Sequence, residues 1–399
     1  MNEATAAQAV TVSGIQTTGV PDLSDEFIHE AFIVPIRNMV VLDDEYATLD
    51  ELAGIAEQGL SLDSLDVTKK QNLERVRSLV NLARRHDRNR RPWLVDINNT
   101  VVSDVYGHLR NSDLLILDYH LNGDAGGPDD AIKVLQDLAA NDDFNIVVVY
   151  TKGEQGSIEE VVRQIIVSLT CIELPDFPVD DYESALSAWD DLHGDVYETL
   201  VADIKPFIYA KVKSEGLKLE RMLQFEECAD LNLIVNNNRG KFKLTNKDFI
   251  LWALHKLKQN SMFSSQFSAE DLGDVSFGIQ DELNWIRTKS VFITVVDKKS
   301  VAPADLESKL VDAIKMSTPT PHQFLLSKMR SMLLEKGVVA EMEIVGNKSL
   351  QRMWLKEFVG EEGSDEISTI DSVVKRHWES LGGGYMGLCR IMRKSLGGI

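Results

Sequence analysis

Two short apolar runs end abruptly in acid. Val40-Val41-Leu42 leads into Asp43-Asp44-Glu45, and Leu114-Leu115-Ile116-Leu117 leads into Asp118-Tyr119-His120. A short apolar run bounded by polar residues reads as a strand buried on both faces of a parallel sheet. Ligands of open α/β sheets bind outside the carboxyl ends of the strands, which is where Asp43, Asp44 and Asp118 fall. Three carboxylates gathered there repel one another unless a cation lies between them. A hard divalent ion with oxygen ligands, Mg²⁺ first, suits that donor set.

The elements that must position these acids follow from periodicity. Arg37 to Leu42 is the first strand, and residues 67–87 carry Leu73, Val76, Leu79, Val80 and Leu82 at helical spacing. Trp93-Leu94-Val95-Asp96-Ile97 is a second strand and Leu114 to Leu117 a third. The turn-rich stretch Asn122-Gly123-Asp124-Ala125-Gly126-Gly127-Pro128 follows. Asp129 or Asp130 opens a helix with Ile132, Leu135 and Leu138 inward. Asn145 to Tyr150 is the strongest strand of the chain, and Thr151-Lys152-Gly153 comes directly after it, putting a hydroxyl at the same sheet edge. Residues 156–170 form a helix with Ile158, Val161, Val162, Ile165 and Ile166 on one side.

The order strand–Asp-Asp, strand–Asp, glycine loop, helix, strand–Thr resembles the receiver domain of two-component response regulators. The resemblance implies a receiver-like (flavodoxin-like) α/β fold: a parallel five-stranded sheet with helices on both faces, here with a mostly helical additional domain. It implies that Asp43 and Asp44 hold Mg²⁺ and that Asp118 accepts a phosphoryl group and shares the metal. It further implies a main-chain carbonyl from His120 to the metal, Thr151 as the hydroxyl that contacts the phosphoryl, and a Lys after the fifth strand. Asn122 stands where the family usually has Pro at the start of a Pro-Gly-x-x-Gly loop. The physics runs the same way, because a carboxylate accepts a phosphoryl group only when the accumulating negative charge is offset by a metal and an ammonium.

The fifth strand is displaced from its usual place. Two segments compete for it: Pro206 to Lys211, and Ser290-Val291-Phe292-Ile293-Thr294-Val295-Val296-Asp297-Lys298. The second is β-branched and aromatic, ends in Lys298, and is followed by a helix-like stretch from Pro303 to Ile314, so Lys298 is preferred over Lys211. The family's usual Lys-Pro is Lys298-Lys299 here. This choice makes a long segment between strands four and five an insertion, which costs little if its ends are close. The organisation expected is a tail over 1–30, a receiver core over 31–170, a helical insertion over 171–285, the closing strand and helix over 286–316, and a helical C-terminal region over 317–399. Within the insertion, helices are expected over 217–231 and 246–258, with a turn at Asn236-Asn237-Asn238-Arg239-Gly240. Phe263, Phe267 and Phe277 are read as packing residues, and His255 as a satisfied boundary histidine.

Composition bounds the function. The chain has 399 residues, 44% of them hydrophobic, and a formal net charge of −21, which disfavours nucleic acid and anionic membranes as partners. Lys69, Lys70, Arg75, Arg77, Arg84, Arg85, Arg88, Arg90 and Arg91 are the exception: a basic helix suited either to nucleic acid or to acidic segments of the same chain. Cys171, Cys228 and Cys389 are widely spaced and suit a reducing compartment. No signal peptide or membrane-length apolar run is present. The reading is a cytoplasmic, bacterial signalling protein of a phosphorelay, with a histidine kinase or phosphotransfer protein as donor, a downstream protein partner, and no enzymatic activity beyond self-transfer and autodephosphorylation. A homodimer stays open. The alternatives are a phosphorylation-independent adaptor built on the same fold, and a nucleic-acid binder acting through residues 69–91.

Overall fold

The computed structural model describes residues 25–85, 92–99, 109–123, 126–154, 157–178, 182, 204–242 and 245–320, together with 323, 324, 327 and 352. The chain divides into two units, one of residues 32–320 and one of residues 1–31 with 321–399. In the second unit a short helix spans Asp25–Ile28. There the Phe27 and Phe324 rings lie 4.7 Å apart and Ser327 Oγ donates to the Ala31 carbonyl at 2.6 Å. The expected helical C-terminal region lies almost wholly outside the described residues beyond residue 320, as do residues 1–24 of the expected tail.

The larger unit is organised by a seven-stranded sheet. Its strands are β1 (Asn38–Leu42), β2 (Leu94–Asn98), β3 (Leu114–Leu117), β4 (Asn145–Thr151), β5 (Ser276–Gln280), β6 (Leu283–Arg287) and β7 (Val291–Asp297), in the order β2-β1-β3-β4-β7-β6-β5. The first five in that order are mutually parallel, with Val41 opposite Ile116, Ile116 opposite Val148, and Val148 opposite Thr294. The parallel five-stranded sheet expected from the sequence is therefore present but is not the whole sheet. β6 pairs antiparallel to β7, and β5 antiparallel to β6, so the sheet is mixed. The added hairpin covers the backbone edge of β7, which would otherwise be an open pairing template. Where the ladder between β6 and β7 runs out, the buried Asn284 side chain continues it. Its Nδ2 donates to the Val295 carbonyl at 2.8 Å and its Oδ1 accepts from Val295 N at 2.7 Å.

Helices cover both faces because the strands are apolar on both. On one face Val40, Leu42, Leu115, Leu117, Val147, Val149, Ile293 and Val295 join a continuous core with α4 (Asp129–Ala140) and α5 (Ile158–Leu169). On the other face lie α3 (Leu73–Arg84) and α9 (Leu306–Met316). The helix expected over 67–87 is interrupted at Asn72, which closes α2 (Val67–Gln71) and starts α3; upstream, α1 (Leu49–Glu57) opens on a capping box of Thr48 and Glu51.

The insertion leaves the sheet after α5 and comes back close to its exit, for Ser268 N donates to the Thr170 carbonyl at 2.9 Å and Cys171 bridges to Ser268. Between these points lie α6 (Pro206–Ser214), α7 (Ala229–Phe242) and α8 (Asn246–Gln259). Their Ile208, Tyr209, Leu231, Val235, Ile250 and Leu254 belong to the same core as the receiver-like face. Two local expectations are corrected. Residues 219–228 form short 3₁₀ turns before α7, and Asn236 to Gly240 is helical rather than a turn, because Leu231 and Val235 bury that helix against its neighbours. The last part of the segment expected to be helical is the β5–β6 hairpin. Phe263 and Phe267 are buried against each other with ring centroids 5.3 Å apart, and Phe277 lies against Phe207. His255 Nε2 meets the Pro175 carbonyl at 3.3 Å. Among the described residues no helix is long and apolar enough to cross a membrane.

Candidate phosphoryl and metal site

Parallel pairing brings the carboxyl ends of β1, β3, β4 and β7 to one edge, and each delivers a polar residue there at the point where its apolar run stops. Asp43 and Asp44 follow β1, Asp118 follows β3, Thr151 ends β4 and Lys298 follows β7. The backbone continues to pair just past the strands, fixing the stubs of these side chains. Asp118 N donates to the Leu42 carbonyl at 2.9 Å, Asp43 N to the Asn98 carbonyl at 3.0 Å, and Lys298 N to the Thr151 carbonyl at 2.7 Å.

Lys298 joins the acids. Its Nζ lies 2.5 Å from Asp118 Oδ2 and 2.7 Å from Asp43 Oδ2, and all three residues are buried, Lys298 being only 2% exposed. The remaining oxygens are held by the backbone: Asp118 Oδ1 accepts from Tyr119 N at 2.8 Å, and Asp43 Oδ1 from Glu45 N at 3.1 Å. Asp44 Oδ2 accepts from Gly123 N at 2.7 Å. Gly123 takes φ 78°, a left-handed conformation that suits glycine, and this turns its N–H toward the acid. Burial pushes the Asp43 carboxyl up to about 7; Lys298 pulls it back and Asp118 raises it further. Asp44 is also raised, chiefly by burial, with Gly123 N opposing. Burial works against the Lys298 ammonium, but Asp118 and Asp43 outweigh it and hold its pKa above the ordinary lysine value.

The acids fit a divalent cation. One oxygen from each of Asp43, Asp44 and Asp118 lies within 4.8 Å of the others. Asp44 Oδ1 is buried with no hydrogen-bond partner, which is costly unless a ligand satisfies it. A hard, oxygen-seeking ion matches this donor set.

Of the two lysines considered from sequence, Lys298 reaches the site and Lys211 does not. Lys211 lies on α6, with its Nζ 4.9 Å from the centroid of the Phe225 ring. A helix starting at Pro206 accounts for this, since Pro is favoured in the first helical turn. Thr151 is fully buried, and its Oγ1 accepts from Gly153 N at 3.4 Å. His120 sits two residues past Asp118, its Nδ1 3.2 Å from the Gly126 carbonyl and its Nε2 3.4 Å from Glu154 Oε2. The loop beyond it is described at Asn122, Gly123, Gly126 and Gly127, whereas Asp124 and Ala125 lie outside the described residues. The basic helix is in part neutralised within the chain: Lys69 pairs with Glu51 at 2.5 Å and Lys70 with Asp63. Arg75 turns inward, its Nη2 donating to the Lys298 carbonyl at 3.3 Å, while Arg77 and Arg84 are exposed. Arg88, Arg90 and Arg91 lie outside the described residues.

Sequence reasoning missed several neighbours. Tyr46 is buried with an unpartnered hydroxyl, and Lys298 Nζ lies 5.5 Å from its ring centroid and 6.0 Å from that of Tyr150. Tyr150 Oη donates to the Val301 carbonyl at 2.6 Å. An aromatic directly beside a site residue was the available signal. Glu45 pairs with Lys152 at 2.6 Å, a contact between loops that no local pattern encodes.

Residues 35–198 match the family model of the response receiver domain. This part of the chain is similar to receiver domains; β7 and Lys298, in the same sheet, lie beyond the matched segment. No curated protein and no solved structure matches the chain.

Proposed function

We propose that this protein is an atypical response regulator that takes a phosphoryl group onto Asp118. The observation that carries the reading is the buried Lys298 ammonium lying between Asp118 and Asp43, beside a carboxylate oxygen of Asp44 that lacks a partner. Asp43, Asp44 and Asp118, with the main-chain carbonyl of His120, would hold Mg²⁺, which supplies charge neutralisation at the transferring phosphoryl group. An oxygen of Asp118 attacks phosphorus; the phosphorus–nitrogen bond of a phosphohistidine, or the phosphorus–oxygen bond of acetyl phosphate, breaks; and the leaving atom departs with the electron pair. Lys298 then pairs with the new phosphoryl oxygens, releasing Asp43, and Thr151 turns its hydroxyl toward them.

The donor is a histidine kinase or phosphotransfer protein, as receiver chemistry implies. The output is a change in how the helical parts of the chain meet a protein partner. No enzymatic activity beyond self-transfer and loss of the phosphoryl group is assigned. Beryllofluoride with Mg²⁺ tests the reading, because it mimics the phosphoryl group on an aspartate. It should raise the thermal midpoint of the wild type and leave Asp118→Asn unchanged; equal responses of the two, or none in either, would contradict the phosphoacceptor role and favour an adaptor that keeps the fold without the chemistry.

A further inference from the structure

We propose that Glu45 and Lys152 form a strap across the mouth of the site and decide how readily a phosphoryl donor reaches Asp118. The inference rests on the phosphoacceptor reading and goes beyond it.

The topology carries it. β1 and β4 are not neighbours; β3, which delivers Asp118, runs between them. Strands two places apart in a sheet are separated by roughly 10 Å. Glu45 lies in the loop after β1 and Lys152 in the residue after β4, yet Glu45 Oε1 meets Lys152 Nζ at 2.6 Å. The two side chains must therefore reach toward each other over the carboxyl end of β3. The strap is anchored on both sides. Glu45 N donates to Asp43 Oδ1, and Asn72 Nδ2 approaches Glu45 Oε2 at 3.4 Å. Lys152 is fixed by its neighbour Thr151, whose backbone is paired within the sheet. Asp118, at the end of the strand between them, is only 6% exposed, and an incoming phosphorus atom needs an open line to its carboxylate.

The closed strap slows transfer, and opening it precedes attack. A small donor such as acetyl phosphate needs a brief opening, whereas a protein donor can displace Glu45 from Lys152 with charges of its own. The same strap, closed after transfer, keeps attacking water from the acyl phosphate.

The sign of one substitution separates this role from simple charge effects. Lys152 is a cation beside the path of an anionic donor, so attraction alone predicts that Lys152→Ala takes up phosphoryl more slowly. The strap predicts the opposite. The experiment follows the rate of phosphoryl uptake from acetyl phosphate with Mg²⁺, by intact mass, in the full-length chain. The wild type is compared with Lys152→Ala, Glu45→Gln, the exchanged pair Glu45→Lys with Lys152→Glu, and Asp118→Asn. Both single variants should be faster than the wild type by about 2-fold to 5-fold, the range for loss of one partly exposed ion pair. The exchanged pair should return toward the wild-type rate, and the phosphorylated single variants should lose the group faster. Asp137→Asn, which breaks the Arg110–Asp137 pair near the amino ends of the strands, should not change the rate. Single variants that are slower than, or equal to, the wild type would overturn the strap while leaving the phosphoacceptor reading intact. Absence of uptake in the wild type and in every variant would overturn both.

Discussion

Lys298 places one positive charge between two carboxylates in a site from which water is nearly excluded. Removing one partner of a buried ion pair is more damaging than the pair is worth, because the remaining charges are left uncompensated. Lys298→Ala should therefore lower the stability of the metal-free protein by about 3–5 kcal/mol in urea unfolding, and Mg²⁺ should restore part of the loss by replacing the missing cation. Asp44→Ala should act the other way. It removes a buried oxygen that has no partner together with one that accepts from Gly123 N, so the metal-free fold should lose no more than about 1 kcal/mol, while Mg²⁺ affinity by calorimetry falls by at least about 10-fold. The raised pKa of Asp43 has a sign that can be checked. The folded state holds this proton more tightly than the unfolded chain, so its contribution to stability is present at low pH and is lost as pH rises from about 4 to about 7. Without metal, the stability of wild type relative to Asp43→Asn should fall across that window, and saturating Mg²⁺ should flatten the fall. A relative stability that rises with pH would contradict the assignment.

The β5–β6 hairpin is the element that distinguishes this sheet, and its packing is tight at one point. Gly278 faces Trp285 across the ladder, and a Cβ at position 278 would fall 2.5 Å from the indole Nε1 and 2.9 Å from Cε2. Gly278→Ala should destabilise the protein by about 1–3 kcal/mol, the range for overpacking, measured by thermal or urea unfolding. The hairpin also shows why part of the fold escaped the sequence. Ser276 to Gln280 and Leu283 to Arg287 are two short runs joined by two residues, the spacing of a hairpin. The turn residues are Asp281 and Glu282 rather than Asn-Gly, and Asp281 takes the left-handed φ of 52° that glycine usually supplies. β1, β3, β4 and β7 were legible because runs dominated by apolar residues stop abruptly at polar ones. Asn236 to Gly240 misled for the converse reason: a turn-like composition is overridden by burial of one helix face. Asn284, whose side chain extends the sheet, carries no sequence signature.

Across the larger unit, one core joins the receiver-like face of the sheet to α6, α7 and α8, so the insertion folds as part of the domain it interrupts. Residues 32–320 should unfold in a single cooperative transition, with near- and far-ultraviolet circular dichroism coincident; two separated transitions within this unit would contradict the shared core. The acids, the threonine and the preferred lysine could be named from sequence because each ends a strand. What could not be read were contacts that exist only once the strands are ordered side by side, among them Glu45 with Lys152 and Lys298 with the tyrosine rings. The insertion puts the last strand far along the chain, beyond the family match that ends at residue 198, and only the fold brings Lys298 back.

The most direct measurement is the position of the phosphoryl group itself. After incubation with acetyl phosphate and Mg²⁺, borohydride reduction converts an acyl phosphate on aspartate to homoserine, which peptide mass spectrometry locates. Homoserine at position 118 in the wild type, and none in Asp118→Asn, is the predicted result. Its absence at 118, or its appearance at another acid, would contradict the assignment of Asp118 as the phosphoacceptor.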